Sequence, residues 1–209
     1  MKALWPIVAA LVVGLAAGGY AYHAARQKSE QHYALSALVD KATGEIKGAL
    51  AGAPGSAELL RAQAALERLR AMDSSRHRAF ADAVERYLIS AHTIVRERGE
   101  AARLSRAAAA DREALAAQLA ARRSDAWFAD TMAIKKRLEQ EHFDLAHAYQ
   151  ALDQVLGSLG DDTRALAEFV PRSALVGEAQ REDARRQARD DAGRAAQALE
   201  QARKSIEPR

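Results

Sequence analysis

The fold is decided by the stretch LEQEHFDLAHAYQALDQVLGSL, residues 138–159. Its large residues recur at alternating spacings of four and three, which is the period of one face of an α-helix. The residues on this face, which we call the seam, are Leu138, His142, Leu145, Tyr149, Leu152, Leu156 and Leu159. We therefore predict a helix that packs this seam against other helices.

Composition extends the helical prediction to the whole chain. Of the 209 residues 51 are alanine, which favours the helix more than any other residue but buries little area. Proline breaks helices, and the sequence has none between Pro54 and Pro171. No stretch shows the alternation of apolar and polar residues, with intervening turns, that is typical of paired strands. These features predict an all-α protein, an elongated helical bundle or coiled coil rather than a deep globular core.

Turn and capping residues divide the chain into an anchor, residues 1–26, and an extramembrane helical domain, residues 27–209. The clearest loop is AGAPGS, residues 51–56, and we place further breaks at Gly99, after Leu156 and near Pro171. The predicted helices cover approximately residues 27–50, 57–72, 75–98, 101–123, 125–156, 162–169 and 173–206.

The first residues have the length of a transmembrane helix. Residues 3–25 contain no Asp, Glu, Lys or Arg, and 23 helical residues span roughly 34 Å, enough for a hydrocarbon core of about 30 Å. Trp5 lies near one end and Tyr20 and Tyr22 near the other, where interfacial aromatic residues of a spanning helix are expected. We predict an uncleaved signal anchor.

A cleavable signal peptide is the alternative. Gly18 and Gly19 could end the apolar helix, and Gly19-Tyr20-Ala21 resembles a small-x-small cleavage site. The orientation is nearly balanced, because Lys2 stands before the segment and Arg26 and Lys28 follow it. Because a two-residue tail is most simply left in the cytoplasm, we expect a single-pass protein of the bacterial inner membrane with its bulk in the periplasm.

Small residues form a stripe within this segment. Ala10, Gly14 and Gly18 recur every four residues, and Gly14 and Gly18 form a GxxxG motif. Such a stripe lets a second helix approach closely in lipid, so it predicts helix packing in the membrane. The alternative is that alanine and glycine are simply common in membrane helices.

The sequence carries no recognisable catalytic chemistry. It has no cysteine, no nucleotide-binding or hydrolase motif and, at a net charge of +3, no basic block for nucleic acid. Glu139-x-x-His142 and Asp144-x-x-His147 have the spacing of a diiron half-site, but both lie on one helix, whereas such centres draw them from facing helices. We predict no enzyme, no cofactor, no metal site and no nucleic-acid partner.

These features together predict a non-enzymatic scaffold or accessory subunit of a membrane or envelope complex. Its expected partners are the membrane and other protein subunits or further copies of this chain. The seam and the alanine face of the last helix, which is too weakly apolar to stand alone, predict helix contacts with such partners; the alternative is that internal bundling of this chain buries both. The alternative is an extracytoplasmic helical-bundle sensor or ligand-binding protein, although alanine-rich seams leave little room for a pocket.

Overall fold

The computed structural model describes residues 4–120 and 126–204, with side chains for Arg26 and from Ser29 onward. Two short 3-10 helices, Ser75–His77 and Arg172–Ala174, lie between the α-helices, and the described residues contain no strand. The prediction of an all-α helical bundle is therefore confirmed. The five α-helices are α1 (Leu4–Ala51), α2 (Ser56–Arg70), α3 (Arg78–Ala120), α4 (Trp127–Leu166) and α5 (Glu178–Lys204).

Helix α3 is the axis of the bundle. It runs parallel to α1, since Thr43 contacts Tyr87 and Arg98 reaches the Ala49 carbonyl further along both helices. Helix α2 folds back along α1, with Arg61 of α2 donating to Glu45 of α1.

Helices α3, α4 and α5 form an antiparallel series. Ser90 of α3 donates to Asp162 near the end of α4, and Arg137 near the start of α4 donates to Asp111 further along α3. Helix α5 then runs back along α4 and covers it. Because α1 and α2 lie beside only the first half of α3, the second half belongs to a three-helix rod.

The core is thick at one end and thin at the other. Its main cluster joins α1, α2, the first half of α3 and the last turns of α4, with Leu35, Tyr87 and Leu156 fully buried. Two small, alanine-containing clusters continue along the rod, and the last of them consists of Ala108, Leu115, Leu138 and Ala202. The distribution follows the sequence, because large apolar residues are concentrated where the main cluster forms.

Several predicted helix ends are absent from the structure. Helix α3 continues through Gly99 and α4 continues through Gly157 and Gly160. A glycine inside a helix costs only about 1 kcal/mol relative to alanine, and packing offsets that cost here. A Cβ at Gly160 would overlap the guanidinium group of Arg181, so this glycine lets α5 approach α4.

The predicted ends and the observed helices also differ at both ends of the bundle. Helix α1 begins at Leu4 and runs without a break through the predicted boundary between residues 26 and 27. Helix α5 begins at Glu178, after the 3-10 turn that follows Pro171, rather than near residue 173. The loop after α1 occupies residues 52–55, within the AGAPGS stretch.

The predicted membrane segment, residues 3–25, lies outside the described side chains. The same holds for the packing stripe Ala10, Gly14 and Gly18 and for the interfacial residues Trp5, Tyr20 and Tyr22. Among the residues that are described, no helix has the length and apolarity needed to cross a membrane.

Candidate functional site

The seam that decides the fold is covered by helices of the same chain. Tyr149 is half-buried, and the other six members, Leu138, His142, Leu145, Leu152, Leu156 and Leu159, are buried. Helix α3 packs on one side of α4 and α5 on the other. The seam is therefore occupied within the chain and does not offer a face to a second protein.

Helix α5 finds its partner in α4. Its alanines at 188, 195 and 202 are buried, and Arg185 and Arg189 both donate to Asp153 of α4, at 3.0 and 3.1 Å. Near its end the Lys135 ammonium group donates to the Arg203 carbonyl at 2.8 Å. These bonds support a helix whose apolar face is too poor to hold it alone.

A recess opens where alanines of α3 and α5 face each other across α4. Small side chains at positions 108, 109, 195 and 198 leave a volume of about 270 Å³, open to solvent on one side. Its polar lining consists of Ser105, Arg112, His142, Tyr149, Asp191 and Arg194. We call this volume the His142 recess. We expected alanine-rich seams to leave little room for a pocket, but alanine side chains of facing helices do not fill the space between α3, α4 and α5.

His142 is the buried polar group of this recess. Its side chain is 4 % exposed, and its Nδ1 atom has no hydrogen-bond partner among the described residues. Burial, helped by the positive charge of Arg112, lowers the pKa of His142 below its ordinary value. The imidazole is therefore neutral near pH 7, with an unmet hydrogen-bonding group inside a protein.

Tyr149 separates this recess from a second one. Ser105 and Tyr149 line both, and the second recess has a volume of about 500 Å³ beside the loop that follows α1. Burial and the nearby Asp191 carboxylate raise the pKa of the Tyr149 phenol, which keeps it protonated. The second recess adds two further cations, Arg98 and Arg106.

The cations around the two recesses are weakly neutralised. Arg98 donates to the Ala49 carbonyl and Arg106 to the Ala102 carbonyl, so neither hydrogen bond cancels the charge. Arg194 pairs with Asp191, and Arg112 forms no ion pair with a described residue. The surface on both sides of Tyr149 is consequently positive.

Apolar side chains are exposed at the end of the rod where α3 ends and α4 begins. Phe128 is 64 % exposed, Leu119 is 48 % exposed and Met132 is 39 % exposed. We call these three residues the apolar tip. The hydrophobic cluster at this end of the rod is small, so it offers little buried surface against which these three side chains could pack.

The two histidine spacings of α4 do not converge on one site. Glu139 lies near Lys135, at 3.7 Å, whereas the His147 ring packs edge-on against Phe143. In residues 4–120 and 126–204 no three histidine, aspartate or glutamate side chains come together in an arrangement that could hold a metal ion.

Arg112, Arg194 and Ser105 were not singled out from the sequence. They lie on α3 and α5, while the periodic signal that identified His142 and Tyr149 belongs to α4. The sequence does contain a run of alanines at residues 107–110 and further alanines near residue 195, and such small side chains can leave space between helices. Which helices face each other had to be known before that signal could be used.

Comparison with known proteins adds no relative: no family model, no curated protein and no solved structure matches this chain.

Proposed function

We propose that this chain is a single-pass, membrane-anchored helical protein that acts without catalysis as a scaffold or accessory subunit of a membrane or envelope complex. The bundle then stands in the periplasm of a bacterial cell. The observation that carries the proposal is the continuity of α1. This helix of 48 residues begins within the uncharged stretch and ends in the core of the bundle, where Leu35, Val39 and Ile46 are fully buried.

Continuity of α1 gives an anchored bundle a fixed position. A flexible linker would let the bundle change its orientation relative to the membrane, whereas an uninterrupted helix holds the bundle in a fixed orientation relative to the membrane segment. The apolar tip lies about 70 Å from Arg26. This length is the sum of roughly 25 residues of α1 beyond Arg26 and roughly 22 residues of α3 beyond Arg98, at about 1.5 Å per residue, because Arg98 lies beside the end of α1. A protein of this shape is suited to presenting a contact surface at a set height above the membrane.

The apolar tip is the surface that best supports a protein partner. Aromatic residues and methionine are enriched in protein interfaces, and Phe128 and Met132 lie one helical turn apart on the same face of α4. The seam and the alanine face of α5 no longer support external assembly, since both are used inside the chain. Contacts in the membrane through Ala10, Gly14 and Gly18 remain part of the proposal.

A photo-crosslinking amino acid tests the tip in native membranes. We expect a crosslinker at Phe128 to capture a discrete protein partner or a second copy of the chain. The matched control is the same crosslinker at Tyr33, an aromatic residue 73 % exposed at the other end of the bundle. Absence of a product at Phe128, or equal products at both positions, would contradict a partner at the tip.

The alternative function, a ligand-binding bundle, is favoured by one specific observation. The His142 recess is concave, and six polar side chains line it together with small apolar ones. The chemistry of that recess is independent of the anchor and of the apolar tip.

A further inference from the structure

We propose that the outer face of α4 is the contact surface between two parallel copies of this chain held in the same membrane. This inference rests on the proposed function and names the partner which that function leaves open. Phe128, Met132 and Phe143 carry it, and we call these three residues the α4 face. Their side chains are exposed, at 64 %, 39 % and 45 %.

The α4 face gathers exposed apolar side chains in one row. At about 100° per residue, the three positions fall within about 60° of one another around the helix axis, and they extend over roughly 22 Å along it. Of the seven large apolar side chains that the described residues expose, three therefore lie on one face of one helix. Such a concentration is typical of a contact surface, whereas apolar residues scattered singly over a surface are common.

The area of the α4 face favours a partner that is already held close by. Taking about 200 Å² for each whole side chain, the three exposed parts amount to roughly 300 Å². A stable complex between proteins that are free in solution buries about 800 Å² on each partner. The α4 face is therefore too small to recruit a soluble partner alone, whereas a partner confined to the same membrane is already concentrated beside it.

A second copy of the chain meets this condition and presents its own face at the same height. Because α1 runs without a break from Leu4 into the bundle, two anchored copies point the same way and hold α4 at the same distance from the membrane. Rotation about the membrane normal brings the two faces together around a two-fold axis that runs along the helices. Identical residues then meet, Phe128 with Phe128 and Phe143 with Phe143.

The charges beside the α4 face are complementary in this arrangement. Lys136 and Glu139 lie on opposite flanks of the line from Met132 to Phe143, about 60° apart around the helix. In a parallel two-fold pair, each flank of one helix faces the opposite flank of the other. Lys136 of one copy consequently faces Glu139 of the second copy, and the same contact occurs again across the axis.

Introduced cysteines test this arrangement, because the chain contains no cysteine of its own. Full chains with Met132→Cys or Phe143→Cys are oxidised in native membranes, and the disulfide-linked dimer is measured by electrophoresis without reductant. The matched control is Leu60→Cys, since Leu60 is also apolar and exposed but lies on α2. A disulfide requires Cα atoms about 4.4–6.8 Å apart, so we expect at least about fivefold more dimer from both α4 variants than from the control.

A charge reversal tests the register of the two copies. Lys136→Glu, combined with Met132→Cys, sets like charges against each other across the axis and should lower the dimer yield about threefold or more. Lys47→Glu in the same Met132→Cys chain is the control, because Lys47 is exposed on α1 and the change in net charge is equal.

The proposal is overturned if the two α4 variants give no more dimer than Leu60→Cys, or if Lys136→Glu and Lys47→Glu change the yield equally. A product between the Phe128 photo-crosslinker and a different protein would in that case still support the scaffold function. Absence of the chain from the membrane fraction would instead refute both the scaffold function and the parallel pair, so the two failures are distinguishable.

Discussion

Replacing Tyr87 by phenylalanine tests the joint between α1, α3 and the segment that precedes α5. The Tyr87 hydroxyl lies 2.8 Å from Thr43 Oγ1, and the backbone N–H of Val176 also donates to it. Tyr87 is fully buried, and Thr43 and Val176 are almost as inaccessible. One oxygen atom thus joins three parts of the chain that are distant in the sequence.

The size of the effect follows from the groups left behind. Phenylalanine keeps the ring and its packing, but the Thr43 hydroxyl and the Val176 N–H lose their partner. An unsatisfied buried group costs about 1–3 kcal/mol, so we expect Tyr87→Phe to lower the free energy of unfolding by about 2–4 kcal/mol. In urea this should move the unfolding midpoint by about 1 M for a chain of this size.

The assay is urea unfolding followed by far-ultraviolet circular dichroism, with the chain in a mild non-ionic detergent. Tyr33→Phe is the control, because Tyr33 is largely exposed and the same change there should stay within about 0.5 kcal/mol. Thr43→Val added to Tyr87→Phe should cost less than the two single changes together, since both ends of one bond are then removed. Equal midpoints for Tyr87→Phe and Tyr33→Phe would refute the reasoning.

Three further changes probe the packing around α4. Gly160→Ala should destabilise the protein by about 1–3 kcal/mol, because the added methyl group displaces the Arg181 guanidinium. Gly193→Ala, in open space on α5, should stabilise it by about 0.5–1 kcal/mol. Thermal unfolding that ranks the two variants the other way would contradict the close approach of α5 to α4 at Gly160. Burial lowers the pKa of His142, so the unfolded state binds this proton at a higher pH than the folded state does, and stability should fall as the pH drops below about 6.5. The urea midpoint of His142→Gln should therefore depend less on pH between about pH 7 and pH 5. The same pH dependence in both proteins would argue against a lowered pKa of His142. Asp153→Asn removes the carboxylate that accepts from two arginines of α5 and should cost about 1 kcal/mol, with faster hydrogen exchange in α5 as the readout and unchanged exchange as the opposing result.

The seam of α4 shows what a periodic pattern can and cannot predict. Spacings of four and three identify the buried face of a helix directly, because that face is a property of one segment. They do not identify what covers it. Here α3 covers one flank of the seam and α5 the other, so a face that was compatible with a protein partner is used internally.

The glycines at 99, 157 and 160 show why helix ends were misplaced. Read along the sequence, a glycine after an apolar run indicates a helix end. In the structure the meaning of Gly157 and Gly160 comes from Arg185 and Arg181, which lie on another helix and pack against them. Local propensity was outweighed by a contact that no local pattern contains.

The His142 recess was only half visible in the sequence for the same reason. His142 and Tyr149 belong to the periodic face and were identified, whereas Arg112 and Arg194 come from helices with weak patterns. The recess exists because alanines on two helices meet, and that meeting depends on the register of three helices. Register is a long-range property, fixed by contacts such as the one between Ser90 and Asp162.

Intact mass spectrometry of the protein taken from native membranes tests the central claim most directly. We propose that the uncharged residues 3–25, of which those from Leu4 onward belong to α1, stay attached to the bundle and keep it at the membrane. We therefore expect a membrane-fraction species whose mass includes those residues. A mature chain that begins between Gly18 and Arg26 would contradict the account, because the anchor on which the scaffold proposal rests would then have been removed.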